Sequence, residues 1–425
     1  MTPAQQALLR DAMRQLGLTR DAFATRLGVT RRALDSWLLP EDSKEHRGMP
    51  SVVEHFVRHI LAHAHLSPGV SPAVVAPESR HLLSVDQLDR GRVEHLFRLA
   101  DLLQPVARRR KVCRVLEGAV LANLFFEAST RTRMSFGAAF CRLGGSVCDT
   151  TGFTFSSMAK GESIYDSSRV ISGYADAMVI RHPEKGSVAE FARATNIPVI
   201  NGGDGPGEHP SQALLDLYTI EREFSRLGKV VEGSCIAMVG DLKHGRTVHS
   251  LLKLITKYRK VRVALVAPAG LEMPSNLVEI AAATGCTIET HDNLADGLRH
   301  ADVIYATRIQ KERFSAEMSE SLAMAYSEGF QINASALAQH AKADTIVMHP
   351  LPRDSSPGAN DLSNDLNLDP RLAIFRQADN GIPVRMALFA DLLGVAEQVP
   401  RNLRDVNWWT PTHTGTDDPM LGDLA

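Results

Sequence analysis

The strongest constraint on the fold is the alternation of short apolar runs with amphipathic stretches between about residues 82 and 398. Apolar runs of this length predict the buried strands of parallel sheets, and the stretches between them predict covering helices. We therefore expect an α/β fold with two doubly wound parallel-sheet domains, joined to a small all-α N-terminal extension. The predicted strands are AVLANLFF, ADAMVIRH, IPVIN, SCIAMVGD, VRVALVA, ADVIYATR and TIVMHP.

Composition narrows the class of protein. The chain has 425 residues, of which 44% are hydrophobic, so two sizeable cores can be buried. Its formal net charge of -2 argues against a general affinity for nucleic acid or anionic membranes. Five cysteines at no metal-like spacing suit a reducing compartment. Since no apolar run approaches the ~18 residues that span a bilayer, we expect a cytoplasmic protein without a membrane anchor.

Five segments are predicted along the chain from composition and periodicity. They are a helical, helix-turn-helix-like extension (1–65), a Pro- and Ser-rich linker (66–81), a first α/β domain (82–222) completed by a C-terminal helix (about 380–398), a second α/β domain (223–379) and a polar tail (399–425).

The N-terminal extension carries the pattern of two short helices joined by a tight turn. Thr19 and Thr30 suit helix N-caps on either side of RLGV, whose Gly28 permits the turn. Arg31 and Arg32 would lie on the second helix, the one that enters the groove in helix-turn-helix proteins. A DNA-binding regulatory role is therefore an alternative for this segment. Its mixture of acids and bases disfavours that role and favours a small assembly or stability module.

Polar and mostly cationic residues follow six of the predicted strands. In open α/β sheets ligands bind beyond the carboxyl ends of the strands, so these residues are predicted to share one site for a negatively charged ligand. They are Ser129, Thr130, Arg131 and Thr132, then Arg181, His209 and Gln212, then Arg246 and Thr247, then Arg308 and Gln310, then Leu351 and Pro352.

The stretch FFEASTRTRMSF is the most specific of these strand ends. A helix that begins near Thr130 offers unpaired backbone N–H groups, and the hydroxyls and Arg131 add side-chain donors. Each charge-assisted hydrogen bond contributes ~1.5–3 kcal/mol. Four or five of them would hold a small phosphorylated metabolite. Gly144 and Gly145 supply the end of this helix.

Several common phosphate and catalytic motifs are absent from the sequence. It has no GxxxxGK[ST] loop, no GxGxxG, no GxSxG and no HExxH. What remains is a phosphate site that needs neither a nucleophile nor a metal, and we expect no cofactor. This points to direct group transfer between two bound substrates.

Residues 82 to 398 resemble the aspartate/ornithine carbamoyltransferase family, and within it the aspartate carbamoyltransferase catalytic chains. The matching motifs are FFEASTRTRMSF, SSMAKGES, VIRHP, NGGDGPGEHPSQALLDLYTI, MVGDLKHGRTVHSL, YATRIQKERF, MHPLPR and NGIPVRMALF, in the family's order. The resemblance implies transfer of a carbamoyl group from carbamoyl phosphate to L-aspartate, an early step of pyrimidine synthesis. It also assigns carbamoyl phosphate to the first α/β domain and aspartate to the second.

The resemblance also implies a role for each residue. Ser129, Thr130, Arg131 and Thr132 would cradle the phosphate, with Arg181, His209 and Gln212 holding the carbamoyl group. The resemblance assigns aspartate binding to Arg246, Thr247, Arg308 and Gln310, and amine contacts to the carbonyls of Leu351 and Pro352.

A trimer is implied as well, because Ser156 and Lys160 match residues that the family inserts into a neighbouring subunit's site. Lys160 is thereby expected among the catalytic and aspartate-binding residues. Glu127, Arg246 and Arg313 match ion pairs of the family's closed form. The sequence leaves open whether a regulatory or dihydroorotase-like chain joins the trimers.

Two departures from the family pattern are visible. Gly137 stands where the family usually has Glu, so we expect a rearranged ion pair there. The segment after HPLPR is longer than in the simplest relatives. His182, Arg133, Lys243 and His244 are interpreted as structural or surface residues, and Arg353 is interpreted as equally compatible with a supporting role.

Two other functions were weighed against aspartate transfer. Ornithine carbamoyltransferases typically carry a cysteine in an HCLP motif, where this chain has HPLP, and the cations around Arg308 suit a dicarboxylate better than a cationic amine. A scaffold without activity is disfavoured because the site residues are present together.

Overall fold

The computed structural model describes residues 3–16, 18–40, 43–62, 80–152, 160–310, 329–354 and 361–410. The chain divides into two compact units, Met1–Val74 and Val75–Ala425. None of the helices in the described ranges is long and apolar enough to cross a membrane. Of the predicted linker, only residues 80 and 81 are described.

The first unit is helical, as predicted. Thr19 and Thr30 cap two of its helices by accepting hydrogen bonds from backbone N–H groups three residues ahead. Between those helices Gly28 has a φ of +68°, which favours glycine at the turn. Phe23 and Trp37 lie in a small core of this unit's own. The helices are α1 (Pro3–Leu16), α2 (Arg20–Arg26), α3 (Arg31–Leu38) and α4 (Ser51–Ala62).

The second unit alternates strands and helices along the chain. Its strands are β1 (Lys111–Val112), β2 (Val120–Phe125), β3 (Ser146–Thr151), β4 (Ala177–His182), β5 (Val199–Asp204), β6 (Cys235–Gly240), β7 (Arg262–Val266), β8 (Thr287–His291), β9 (Val303–Thr307), β10 (Ile346–Met348) and β11 (Arg404–Asp405). Its α-helices are α5 (Arg90–Ala107), α6 (Thr130–Arg142), α7 (Ile164–Ser172), α8 (Ser187–Arg193), α9 (Pro210–Arg226), α10 (Arg246–Ile255), α11 (Ser275–Ala283), α12 (Leu294–Leu298), α13 (Ala334–His340), α14 (Ile374–Leu392) and α15 (Val399–Asn402).

Two wholly parallel sheets organise this unit, with strand orders β3-β2-β4-β5 and β10-β9-β6-β7-β8. The expected α/β architecture with parallel sheets is therefore confirmed. All of the predicted strands are present, and their inner positions are almost entirely buried. Strands β3 and β8, which lie at edges of the two sheets, were not predicted. Their half-exposed, polar residues lack the continuous apolar run of a central strand.

Helix α14 packs against α5, α6 and α9, so the end of the chain's α/β region returns to the first sheet. Phe389 on α14 meets the ring of Phe140 edge-on at 4.9 Å between centroids. The helix begins at Ile374, before the predicted start near residue 380. Pro383 lies inside it, whereas a sequence pattern places proline near a helix start.

Part of the predicted polar tail is folded. Strand β11 pairs antiparallel with β1, and Lys111 Nζ lies 2.9 Å from Asp405 Oδ1. Val399 is fully buried. The paired Trp408 and Trp409 that follow are exposed. Residues 411–425 lie outside the described part of the chain.

Candidate active site

A cavity of about 990 Å³ lies beyond the carboxyl ends of the strands of both sheets. The loops that follow β2, β5, β6, β9 and β10 and the end of β4 contribute to its lining, which is the arrangement predicted for an open α/β sheet. The predicted residues that line it are Ser129, Thr130, Arg131, Thr132, Arg181, His209, Gln212, Arg246, Thr247, Arg308, Gln310, Leu351 and Pro352.

Helix α6 begins at Thr130 and presents its N-terminus to the cavity. Ser129 is the N-cap residue, with extended backbone, yet its side chain accepts no capping hydrogen bond from the helix. Ser129 and the first turn of α6 line the cavity, so the hydroxyl and the first-turn N–H groups are available there as donors for an anion. The helix ends at Arg142, and Gly144 follows with a φ of +96°, as the glycine pair predicted.

Cations dominate the electrostatics of the cavity. Burial lowers the pKa of Arg131, and burial together with the neighbouring Arg246 lowers the pKa of Arg181 to about 10. A depressed arginine pKa means that the charged form is under-stabilised before a ligand arrives. An anion placed among these groups would relieve that cost. The arginines that line the cavity are Arg131, Arg181, Arg246, Arg308 and Arg385.

Glu127 holds two of these guanidinium groups in place. Its Oε2 atom lies 2.9 Å from Arg181 Nε and accepts a hydrogen bond of 3.3 Å from Arg246 Nη2. Arg246 also donates to the carbonyl of Gly205. The contact between Glu127 and Arg246 that the resemblance implied is thus present, while Arg313 lies outside the described residues.

His209 is buried and neutral. It is the N-cap residue of α9, and its backbone N–H donates to Ser250 Oγ over 3.1 Å. Burial, reinforced by Arg246, Arg181 and Arg385, holds the pKa of His209 well below its ordinary value. A neutral imidazole still carries one N–H, so His209 can donate a hydrogen bond to a substrate oxygen without titrating near neutral pH.

The second sheet contributes residues held by their own backbone contacts. Gln310 Nε2 donates to the carbonyl of His244 over 2.8 Å, and the Gln310 backbone N–H donates to Asp241 Oδ2 over 3.2 Å. Arg308 Nη1 donates to the carbonyl of Ile309. His244 was predicted to be a surface residue of the loop. It is half-buried, and its carbonyl helps to hold Gln310 in place.

The loop after β10 is fixed by a histidine. The His349 Nδ1 atom accepts a hydrogen bond of 2.8 Å from the Leu351 backbone N–H, and its Nε2 atom lies 2.9 Å from Asp361 Oδ2. The peptide bond between Leu351 and Pro352 is cis. This loop presents both residues to the cavity.

Some predicted residues lie elsewhere. Lys160 is exposed and does not line the cavity of its own chain, and Ser156 lies outside the described residues. His182 is buried, with its ring 5.5 Å from that of Phe126, and accepts the Glu184 N–H at Nδ1.

Two more arginines are engaged outside the cavity. Arg353 Nη2 donates to Asn367 Oδ1 over 2.9 Å. Arg133 Nη1 lies 3.6 Å from Asp149 Oδ2, and Asn123 Nδ2 also donates to Asp149. A side chain at Gly137 would begin 4.0 Å from that same Asn123 nitrogen. The rearranged ion pair expected at this position stays a prediction.

Two buried residues on α14 line the cavity and were not predicted from the sequence. Arg385 is 3% exposed, and burial lowers its pKa to about 10. Gln377 is 1% exposed. Arg385 lies in the motif NGIPVRMALF, and Gln377 lies just before it. The motif supported the family resemblance, but no site role was predicted for either residue. Only the packing of α14 under the cavity reveals them.

Two sequence profiles match the chain over this architecture. The profile described as the aspartate/ornithine carbamoyltransferase carbamoyl-P binding domain matches residues 80–222, and the one described as the Asp/Orn binding domain matches residues 232–392. The chain belongs to the aspartate/ornithine carbamoyltransferase family.

Similar proteins within the family are aspartate carbamoyltransferase catalytic subunits. The one from Saccharophagus degradans is 54% identical over 77% of this chain and 97% of its own length. The one from Dichelobacter nodosus is 56% identical over 80% of this chain and 96% of its own length. Residues 1–79 precede the region that either family profile matches.

Solved structures show the same likeness. The aspartate transcarbamoylase of Trypanosoma cruzi, in complex with carbamoyl phosphate and aspartate, is 39% identical with a TM-score of 0.66 and covers 73% of this chain and 95% of its own. The catalytic subunit of M. Jannaschii aspartate transcarbamoylase is 38% identical with a TM-score of 0.65, over 74% of this chain and 97% of its own.

Proposed function

We propose that the chain catalyses transfer of the carbamoyl group of carbamoyl phosphate to L-aspartate, which yields N-carbamoyl-L-aspartate and phosphate in de novo pyrimidine (UMP) biosynthesis. The observation that carries the proposal is one cavity in which the N-terminus of α6 meets a cluster of arginines from both sheets. The names of the similar proteins and the substrates bound to the T. cruzi enzyme support the same reaction.

We assign the phosphate of carbamoyl phosphate to the start of α6. The hydroxyls of Ser129, Thr130 and Thr132, the N–H groups of the first turn and the Arg131 guanidinium would supply its hydrogen bonds. Arg181 would add a second cation. Because these donors belong to the start of a helix that packs against β2 and β3, they are in place before the ligand binds.

The reaction itself needs no side-chain base in this assignment. The aspartate amine nitrogen bonds to the carbamoyl carbon, the carbon–oxygen bond to phosphate breaks, and the leaving phosphate takes up the amine proton. Negative charge develops on the carbamoyl oxygen, towards which Thr132 and the neutral His209 would donate. The backbone carbonyls of Leu351 and Pro352 would accept from the amine and orient it.

We assign the two carboxylates of aspartate to the cations and amides of the second sheet, namely Arg246, Thr247, Arg308 and Gln310. An ornithine side chain would instead bring an ammonium group among these guanidinium groups, where like charges repel. No contact in the described residues favours the ornithine reaction.

We further propose a homotrimer in which Ser156 and Lys160 complete a neighbour's site. In support, Lys160 is exposed and absent from the cavity of its own chain. The helix that follows it, α7, exposes Tyr165, Val170 and, just beyond its end, Tyr174. Exposed apolar residues grouped in this way are typical of a subunit interface.

We infer that the predicted segments follow this division of labour. Residues 82–222, with the C-terminal helix, form the carbamoyl phosphate domain, and residues 223–379 form the aspartate domain. A cytoplasmic location stays a prediction.

We interpret residues 1–65 as a helix-turn-helix-like extension that does not bind DNA. The Arg31 guanidinium on α3 is already occupied by two carboxylates, Asp21 and Asp35, which would also face the phosphates of a duplex. A gel shift with random duplex DNA at low salt tests this interpretation, and a shifted band would overturn it.

The proposed reaction is tested with radiolabelled carbamoyl phosphate, purified protein and either L-aspartate or ornithine. We expect carbamoylaspartate with aspartate and no product with ornithine. Arg131→Ala should abolish activity. Arg133→Ala is the matched control, because it removes an arginine from the same helix that pairs with Asp149 outside the cavity. Formation of a product with ornithine would contradict the proposal. Absence of product with both amines would contradict it as well.

A further inference from the structure

A buried carboxylate lies directly beneath the cavity. Asp216 is 0% exposed and sits one turn after Gln212 on α9. Its Oδ1 atom accepts hydrogen bonds from Gln212 Nε2 over 2.9 Å and from Gln377 Nε2 over 2.6 Å. Its Oδ2 atom accepts from the Tyr305 hydroxyl over 2.7 Å. Three donors from three different elements thus converge on one carboxylate.

Two of these donors, Tyr305 and Gln377, also contact residues that belong to or support other parts of the site. Tyr305, on β9, has the Thr247 side chain as a further hydrogen-bond partner, and Thr247 lines the aspartate side of the cavity. Gln377, on α14, accepts the backbone N–H of His349 at its Oε1 atom over 3.0 Å. His349 in turn fixes the loop of Leu351. Asp216 therefore connects supports on both sides of the site.

The third donor is Gln212, and its hydrogen bond to Asp216 determines which end of its side-chain amide faces the substrate. An ionised carboxylate only accepts hydrogen bonds, so the Nε2 end of Gln212 must point at Asp216. The Oε1 end is then the one left for a ligand, since Gln212 also lines the cavity. A carbonyl oxygen suits the NH2 group of a carbamoyl substrate, which donates. The same oxygen can form no hydrogen bond of this kind with the methyl group of an acetyl substrate.

Resting on the proposed function, we propose that Asp216 is a positioning residue that selects carbamoyl phosphate over acetyl phosphate by holding the Gln212 amide with its oxygen towards the substrate. Acetyl transfer would follow the same course: the amine nitrogen bonds to the acetyl carbon, the bond to phosphate breaks, and phosphate takes the proton. The two phosphates therefore differ only in the group that Gln212 would recognise.

The charges around Asp216 are consistent with this role. Burial raises the pKa of Asp216 to about 6, while its three hydrogen bonds and Arg385 favour the carboxylate, so the group is ionised at pH 8. Burial and the Asp216 charge raise the pKa of Tyr305 well above its ordinary value, so the phenol keeps its proton and donates.

The test compares kcat/KM for carbamoyl phosphate and for acetyl phosphate at pH 8, each with L-aspartate. In Asp216→Asn the new amide can present N–H groups to Gln212, which lets Gln212 turn its own NH2 end to the substrate. We expect kcat/KM for carbamoyl phosphate to fall tenfold or more, with that for acetyl phosphate nearly unchanged. A selectivity ratio within twofold of the wild-type ratio in folded Asp216→Asn would overturn the proposal.

Glu223→Gln is the matched control. Glu223 is a buried carboxylate on the same helix, 4% exposed, and its Oε1 atom accepts from Arg376 Nε over 2.7 Å, away from the cavity. This variant should lose thermal stability and keep the selectivity ratio. A merely structural role for Asp216 would give the same result as this control.

A second variant covers the case in which Asp216→Asn does not fold, as judged by circular dichroism and gel filtration. Tyr305→Phe keeps the ring and removes one donor, so the carboxylate is held less firmly, and we expect the ratio to fall about threefold. An unchanged ratio would then overturn the proposal. Failure of the proposed function is distinguishable, because the wild-type protein would then transfer neither group to aspartate.

Discussion

Arg246 Nη2 donates a hydrogen bond of 3.3 Å to Glu127 Oε2, and this contact joins the start of α10, which follows β6 of the second parallel sheet, to the loop after β2 of the first. The same carboxylate oxygen lies 2.9 Å from Arg181 Nε. Glu127 therefore separates two guanidinium groups that would otherwise repel each other across the site. The proposed carbamoyl and aspartate contacts are coupled through this residue.

Glu127→Gln tests that coupling, because it keeps the side-chain shape and removes the charge. We expect kcat to fall at least tenfold and the KM for aspartate to rise, since Arg181 and Arg246 lose their common partner. Steady-state kinetics over both substrates measure the effect. Glu232→Gln, which removes an exposed carboxylate that pairs with Arg90, serves as the control. A kcat within twofold of wild type would argue against the coupling.

The start of α6 predicts a measurable affinity for inorganic phosphate. Phosphate at 100 times its Kd should stabilise the protein by about 2.7 kcal/mol, which thermal unfolding detects as a rise in Tm. Arg131→Ala should weaken phosphate binding roughly tenfold or more, because it removes one charge-assisted hydrogen bond. Arg133→Ala should keep the wild-type shift. Equal shifts in both variants would place the anion elsewhere.

His209 predicts one direction of pH dependence. Its folded pKa lies well below 6.5, so the native protein holds a neutral imidazole that the unfolded chain protonates. Its contribution to stability is present above pH 6.5 and is lost as the pH falls below it. The free energy of unfolding of wild type relative to His209→Gln should therefore decrease from pH 7.5 to pH 5. A difference that stays constant over this pH range would contradict the buried, neutral state of His209.

Asp216 predicts the opposite direction. Its folded pKa of about 6 lies above the ordinary 3.8, so its contribution is fully present below pH 3.8 and is lost as the pH rises through 6. From the size of the shift, the free energy of unfolding of wild type relative to Asp216→Asn should fall by up to about 3 kcal/mol between pH 4 and pH 7. Urea unfolding at several pH values measures it. A flat difference would mean that Asp216 is not desolvated as the structure indicates.

The shared site of the proposed trimer predicts complementation. Lys160→Ala and Arg131→Ala should each be inactive alone, because every site then lacks one residue. Mixed trimers would contain one intact site each, so a randomly reassociated equal mixture should regain about a quarter of wild-type activity. The activity of the separately treated parents is the baseline. No gain on mixing, with mixed trimers demonstrated, would exclude a contribution of Lys160 to a neighbour.

The central strands and most of the cavity lining could be predicted from the amino-acid sequence. The inner strands are buried on both faces, so their residues form continuous apolar runs that a one-dimensional pattern reveals. The ligand-facing residues then follow from their position after those strands. The helix start near Thr130 could be predicted from its immediate neighbours in FFEASTRTRMSF. Gly28 and Gly144 likewise mark turns that need a positive φ.

Contacts between residues far apart in the chain could not be predicted, because they depend on how the elements pack. The edge strands β3 and β8 carry no apolar run because one side of each is open to solvent. Gln377 donates to Asp216 across 161 positions of sequence, and no local pattern records such a pair. The neutral state of His209 has the same origin. Its charge is set by burial and by arginines from other elements, and those neighbours exist only once the two sheets and α14 have packed around one cavity.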